Sequence, residues 1–211
     1  MPALRPDIDP DGLLEFSVVF TDRSLNHMSA AFQEVMRDIH ATLCEVYQAD
    51  RAVIVPGGGT YAMEAVARQF ATGRKVLVVR NGLFSYRWTQ IFEAGAIPAE
   101  EIVLKARRQG EGPTAPFAPP PIDEVASTIR RRKPQVVFAP HVETASGIIL
   151  PDAYVKAVAE ATHEVGGLFV LDGVASGCIW VDMAALGVDV LVSAPQKVWS
   201  APPSAGLVMM R

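Results

Sequence analysis

Short apolar runs rich in β-branched residues recur along the chain at residues 52–56 (AVIVP), 75–79 (KVLVV), 101–105 (EIVLK), 135–140 (QVVFAP), 167–172 (GLFVLD), 188–193 (VDVLVS) and 206–210 (GLVMM). Their near-continuous hydrophobicity is that of strands covered on both faces, as in a largely parallel sheet. Between them the period changes. Met28, Phe32, Val35, Met36, Ile39, Leu43 and Val46 recur at helical spacing, and further helices are expected at 60–71, 84–94, 122–132 and 151–165. Strand alternating with helix predicts an α/β fold, with helices packed on both faces of the sheet. Residues 109–121 (QGEGPTAPFAPPP) interrupt the rhythm and are expected as an extended surface excursion inside the domain.

Composition narrows the function only a little. The chain has 211 residues, half of them hydrophobic, enough for one sizeable domain. A formal net charge of −4 argues against nucleic acid or a membrane surface as partner. No apolar window approaches transmembrane length, and residues 1–16 lack the basic-then-apolar start of a secretory signal. Two cysteines, Cys44 and Cys178, form neither a metal spacing nor a disulfide framework, so a reducing, cytoplasmic location is expected. Cys178 reads as a small apolar filler.

Ligands of open α/β sheets bind beyond the carboxyl ends of the strands, so the polar residues just after each run are the candidates. These are PGGGT (56–60), NGLFSYR (81–87), HVETASG (141–147), Asp172, and Gln196 with Lys197. PGGGT lacks the spacing of a dinucleotide or nucleoside-triphosphate loop; it is either an ordinary tight turn or a phosphate turn opening a helix at Thr60. Phe84 and Trp88, one turn apart, compete for the role of a stacking aromatic. Asp172 is either a turn cap or a functional carboxylate. His141 and Glu143 make a poor metal pair without a third ligand.

Together the candidates are more specific than singly. A strand-end lysine freed of its proton forms an imine with an aldehyde. A carboxylate on a neighbouring strand raises the pKa of a pyridine nitrogen and keeps it protonated. A Schiff-base lysine paired with an acid for the ring nitrogen is the binding logic of pyridoxal 5′-phosphate.

With these motifs, GGGTYAMEA, NGLFSYR, HVETASG, LDGVAS and PQK, the chain resembles the class V, fold-type I pyridoxal-phosphate aminotransferases of the alanine–glyoxylate and serine–pyruvate group, most clearly from Ala52 to Val208. The resemblance implies three αβα layers around a largely parallel seven-stranded sheet, with residues 1–25 as an N-terminal arm and 26–211 as the cofactor-binding large domain. It places Gly58, Gly59 and Thr60 at the phosphate with Gln196 beside it, and Phe84 rather than Trp88 on the ring face. It places Thr144 near the ring hydroxyl, Asp172 at the pyridine nitrogen, and Lys197 as the catalytic lysine carrying the cofactor. Gln196 and Phe84 favour a transaminase over a desulfurase, which usually carries histidine at both positions. Three residues depart from the family pattern: Pro195 for a small residue, Ser204 for glycine, and Phe84 for tryptophan. The implied reaction moves an amino group between a small amino acid and a 2-oxo acid such as glyoxylate or pyruvate, in a homodimer. Other class V chemistry (desulfuration, lyase or aminoethylphosphonate transamination) and a non-catalytic cofactor-binding fragment are the alternatives. Family members carry a C-terminal small domain holding the arginine for the substrate carboxylate, so the chain is expected to be a large domain without that clamp.

Overall fold

In the computed structural model, which describes residues 27–211, the chain opens with α1 (Ala30–Tyr47), β1 (Arg51–Pro56), α2 (Gly59–Ala71), β2 (Lys75–Arg80), α3 (Leu83–Gly95) and β3 (Glu100–Lys105). It continues through β4 (Arg107–Arg108), β5 (Phe117–Ala118), α4 (Ile122–Arg132), β6 (Val136–Pro140), β7 (Val142–Glu143), β8 (Ile148–Ile149) and α5 (Asp152–Glu164). The last elements are β9 (Leu168–Asp172), α6 (Met183–Leu186), β10 (Val190–Ser193), α7 (Pro195–Val198) and β11 (Ala205–Met210). The expected N-terminal arm, residues 1–25, lies outside the described residues. No described helix is long and apolar enough to cross a membrane.

The seven apolar runs are the seven strands of one sheet, ordered β1-β11-β10-β9-β6-β2-β3. Neighbours from β10 to β3 pair in parallel, and β11 runs antiparallel to both β10 and β1. The sheet is thus mixed and largely parallel. Steps from β1 to β2 to β3 cross it one way, and steps from β3 to β6 to β9 return. Right-handed crossovers put helices of opposite steps on opposite faces. Accordingly, Met63 and Val66 of α2 and Trp88 and Phe92 of α3 cover Val78, Phe138, Val170 and Val192. On the other face Leu43 of α1, Ile129 of α4, and Val155 and Val158 of α5 cover Leu77, Val137, Phe169 and Leu191.

Two expectations need correction and a third gains detail. The edge strand β1 is not covered on both faces: Val53 is exposed, because α2 lies over β11 instead. The excursion at 109–121 is extended and largely exposed, as expected, and is closed at its base. Arg108 pairs with Phe117, and the Gln109 amide donates to the Pro116 carbonyl at 2.8 Å, so β4 and β5 form a short ribbon at its base. Cys178 is exposed and fills no core position.

The position of α2 is set by Gly206 on β11. A Cβ there would stand 2.4 Å from Ala62 Cβ and 2.7 Å from the Gly58 carbonyl oxygen, both of which belong to the start of α2. The backbone approach draws the helix N-terminus down to the strand ends. Gly206→Ala is expected to destabilise the fold by about 1–3 kcal/mol through overpacking; urea unfolding of both proteins measures it.

Candidate active site

Register brings the strand ends level. Asp172, the last residue of β9, is opposite Pro140 of β6 on one side and Val192 of β10 on the other. Side chains alternate along β9, so Phe169 and Leu171 face α4 and α5, whereas Val170 and Asp172 face α2 and α3. There a cavity of about 130 Å³ opens, lined by Gly59, Thr60, Phe84, Thr144, Asp172, Gln196 and Lys197 among others. Seven of the eight residues expected at the site therefore share one cavity. The eighth, Gly58, is the N-cap of α2, and its carbonyl accepts from the amides of Tyr61 and Ala62.

Asp172 is 6 % exposed. Its donors among the described residues are neutral: the Trp88 indole N–H at 3.2 Å to Oδ2, and the Val174 amide at 3.1 Å to Oδ1. Burial pushes its carboxyl up to about 6, against the lowering effect of those two hydrogen bonds. Trp88 is itself fully buried, packed on Phe138 with ring centroids 4.6 Å apart, while Phe84 is 38 % exposed and lines the cavity. Two aromatics one helical turn apart thus have different tasks, one behind the carboxyl and one at the opening.

Phe84 is held from behind by Glu143. This fully buried carboxylate accepts from the Phe84 amide at 3.1 Å, the Ser85 amide at 2.8 Å and the Ser85 hydroxyl at 2.7 Å. It fills the place of an N-terminal cap for α3, where the helix leaves its first amides without partners. It also accepts from the Ala145 amide at 3.3 Å, which ties the Thr144 loop to the same anchor. His141 turns elsewhere, with Nδ1 2.8 Å from the Ser176 hydroxyl. His141 and Glu143 are therefore two structural anchors with separate partners.

At α2 the amides of Gly59 and Thr60 have no partner within the helix and stand at the cavity. Gly57 makes the turn into the helix with φ +122°, a conformation other residues rarely adopt. Gln196 and Lys197 lie on the single turn α7, a helix that the strand-then-loop pattern did not reveal. The Gln196 Oε1 is buried without a hydrogen-bond partner. Lys197 is exposed at the cavity mouth, not enclosed as a desolvated amine would be, because α7 lies on the rim above β10.

Arg87 also lines the cavity, and sequence reasoning passed it over. The available signal was spacing: positions 84, 87 and 88 fall on one face of a helix. Glu143 was likewise missed as an anchor, since its partners are fifty-eight and fifty-nine residues away in sequence.

A family model for class-V aminotransferases matches residues 15–211. Alanine–glyoxylate aminotransferase of Rattus norvegicus is 29% identical over 190 residues, covering 88% of this chain and 43% of that protein. Serine–glyoxylate aminotransferase of Hyphomicrobium methylovorum is 34% identical over 162 residues, covering 75% of this chain and 38% of that protein. The crystal structure of an alanine–glyoxylate aminotransferase from Nostoc sp. superimposes with a TM-score of 0.74 at 29% identity, over 89% of this chain and 47% of that one. The chain belongs to the class-V aminotransferases, the fold-type I pyridoxal-phosphate group related to the alanine– and serine–glyoxylate enzymes. It spans about half the length of the curated relatives it matches.

The residues present fit that cofactor. A buried carboxyl with neutral donors alone is matched by a protonated ring nitrogen, an exposed aromatic face by a pyridine ring, and unpartnered helix amides by a phosphate.

These contacts have measurable consequences for stability. A carboxyl whose folded value is raised adds stability that is fully present below the unfolded value and is lost as pH climbs through the folded value. Unfolding free energy of the ligand-free protein should therefore fall by about 2 kcal/mol from pH 4 to pH 7 on account of Asp172. Denaturant titrations across that range, compared with Asp172→Asn, isolate the contribution; equal slopes would contradict it. Glu143→Ala strands the Phe84 and Ser85 amides and should cost about 2–4 kcal/mol in the same assay.

Proposed function

We propose that residues 26–211 form the pyridoxal-phosphate-binding large domain of an aminotransferase. It exchanges an amino group between a small amino acid, alanine- or serine-like, and a 2-oxo acid, glyoxylate- or pyruvate-like. The observation that carries this reading is the shared cavity of a buried acid, Asp172, and a strand-end amine, Lys197. The named relatives act on the same substrate class. A homodimer in the cytoplasm is part of the reading, supported by the family resemblance and by two cysteines that are free thiols.

Pyridoxal phosphate, when bound, supplies an aldehyde and an electron-withdrawing ring that lowers the cost of removing a proton from the substrate α-carbon. The protein's residues do the rest. Lys197 Nζ would hold the cofactor at its aldehyde carbon, and the same amine would take a proton from the substrate α-carbon and return it. The Asp172 carboxylate holds a proton on the ring nitrogen, and that cation in turn stabilises the ionised acid. Trp88 and Val174 fix the carboxyl so that it faces the cavity. Phe84 offers a flat apolar face, and the Thr144 hydroxyl orients the ring hydroxyl. The amides of Gly59 and Thr60, with Gln196, bind the phosphate, and the Gly58 cap holds the helix start in place.

Borohydride reduction of the protein incubated with pyridoxal phosphate, with peptide mapping of the product, tests the assignment. The label is expected on the Lys197 peptide and is expected to vanish in Lys197→Ala. Label spread evenly over the lysines in both proteins would sink it. Half-reactions with L-alanine, L-serine and L-cysteine then separate transamination from desulfuration.

A further inference from the structure

Arg87 stands on α3 one turn beyond Phe84 and reaches across the cavity mouth to α2. Its Nη1 donates to the Thr60 hydroxyl at 3.1 Å, and its guanidinium carbon lies 5.8 Å from the Phe84 ring centroid. No carboxylate among the described residues forms an ion pair with it. Elsewhere on the surface Arg68, Arg107, Arg130 and Arg132 each hold a glutamate. A half-buried guanidinium left without an acid at a cavity rim is a site prepared for an external anion.

The cavity's other groups say which anion. Lys197 serves the aldehyde end and Asp172 the ring nitrogen, so neither neutralises the phosphate. Arg87 is tied to Thr60, the residue at the phosphate end. We infer that Arg87 is the phosphate-binding cation of this chain, and so the residue by which it selects the phosphorylated cofactor over free pyridoxal. This rests on the cofactor reading above and deepens it. One guanidinium N–H is spent on Thr60, which leaves four donors. Accepting that bond leaves the Thr60 O–H free to donate to the phosphate as well. The Phe84 face restrains the guanidinium plane from below. Arg87 thereby couples the residue on the ring face to the residue at the phosphate.

Affinities for pyridoxal 5′-phosphate and for pyridoxal, measured by quenching of intrinsic fluorescence, test this in the wild type, Arg87→Met and Arg87→Lys. Circular dichroism confirms that each variant is folded. Arg87→Met should weaken pyridoxal phosphate about 10–100-fold, as loss of a charged hydrogen-bond donor does, and leave pyridoxal unchanged. Arg87→Lys should recover part of the loss, since it keeps the charge without the fork. Inorganic phosphate should compete with pyridoxal phosphate in the wild type and far less in Arg87→Met. An unchanged affinity in Arg87→Met, or an equal loss for both ligands, overturns the role of Arg87 while the cofactor reading stands. A wild type that binds the two ligands equally, with no effect of Lys197→Ala on either, overturns both.

Discussion

A carboxyl group shut away from water at the end of β9 sets the terms for its surroundings. Asp172 has parallel strands on both sides and the fully buried indole of Trp88 behind it. The neutral donors that reach it do not offset the cost of desolvating a charge, so the acid is held back from ionising. Such a group is at ease only when a cation arrives. In the function proposed above a pyridine ring delivers one, and the buried acid would then favour a protonated ring nitrogen.

The rest of the fold supplies the geometry for that meeting. Crossovers of opposite direction send α2 and α3 to the same face that Asp172 points toward. Close packing of Gly206 against Ala62 draws α2 to the strand ends, and Glu143 fixes the start of α3 from the opposite side. Both helices therefore begin at the cavity, one presenting amides and the other an aromatic face. Arg87 bridges them. Rigid elements place each of these groups, as a site of fixed geometry requires.

The strands were legible because burial on both faces removes polar alternation, and that leaves a run of Val, Leu and Ile that little else explains. The helices at α1 to α5 were legible from period alone. Topology drew attention to the segments at the carboxyl end of each strand, and the family resemblance picked out within them the seven residues that line the cavity. Those that escaped did so for two reasons. The single turns α6 and α7 and the ribbon of β7 with β8 are too short to show a period. Glu143 acts on partners brought near by the sheet, so nothing in its local sequence distinguishes a cap from a surface acid, and for Arg87 the helical spacing from Phe84 was the one local sign. The exposure of Lys197 was equally hidden, since a lysine after a strand reads the same whether its side chain is enclosed or on a rim.

The most direct measurement is the ¹⁵N chemical shift of ring-labelled pyridoxal phosphate bound to the protein, in the wild type and in Asp172→Asn. The expected result is a protonated ring nitrogen at neutral pH in the wild type and a neutral one in the variant. A ring nitrogen that is unprotonated in both, or protonated alike in both, would contradict the pairing of the ring with Asp172.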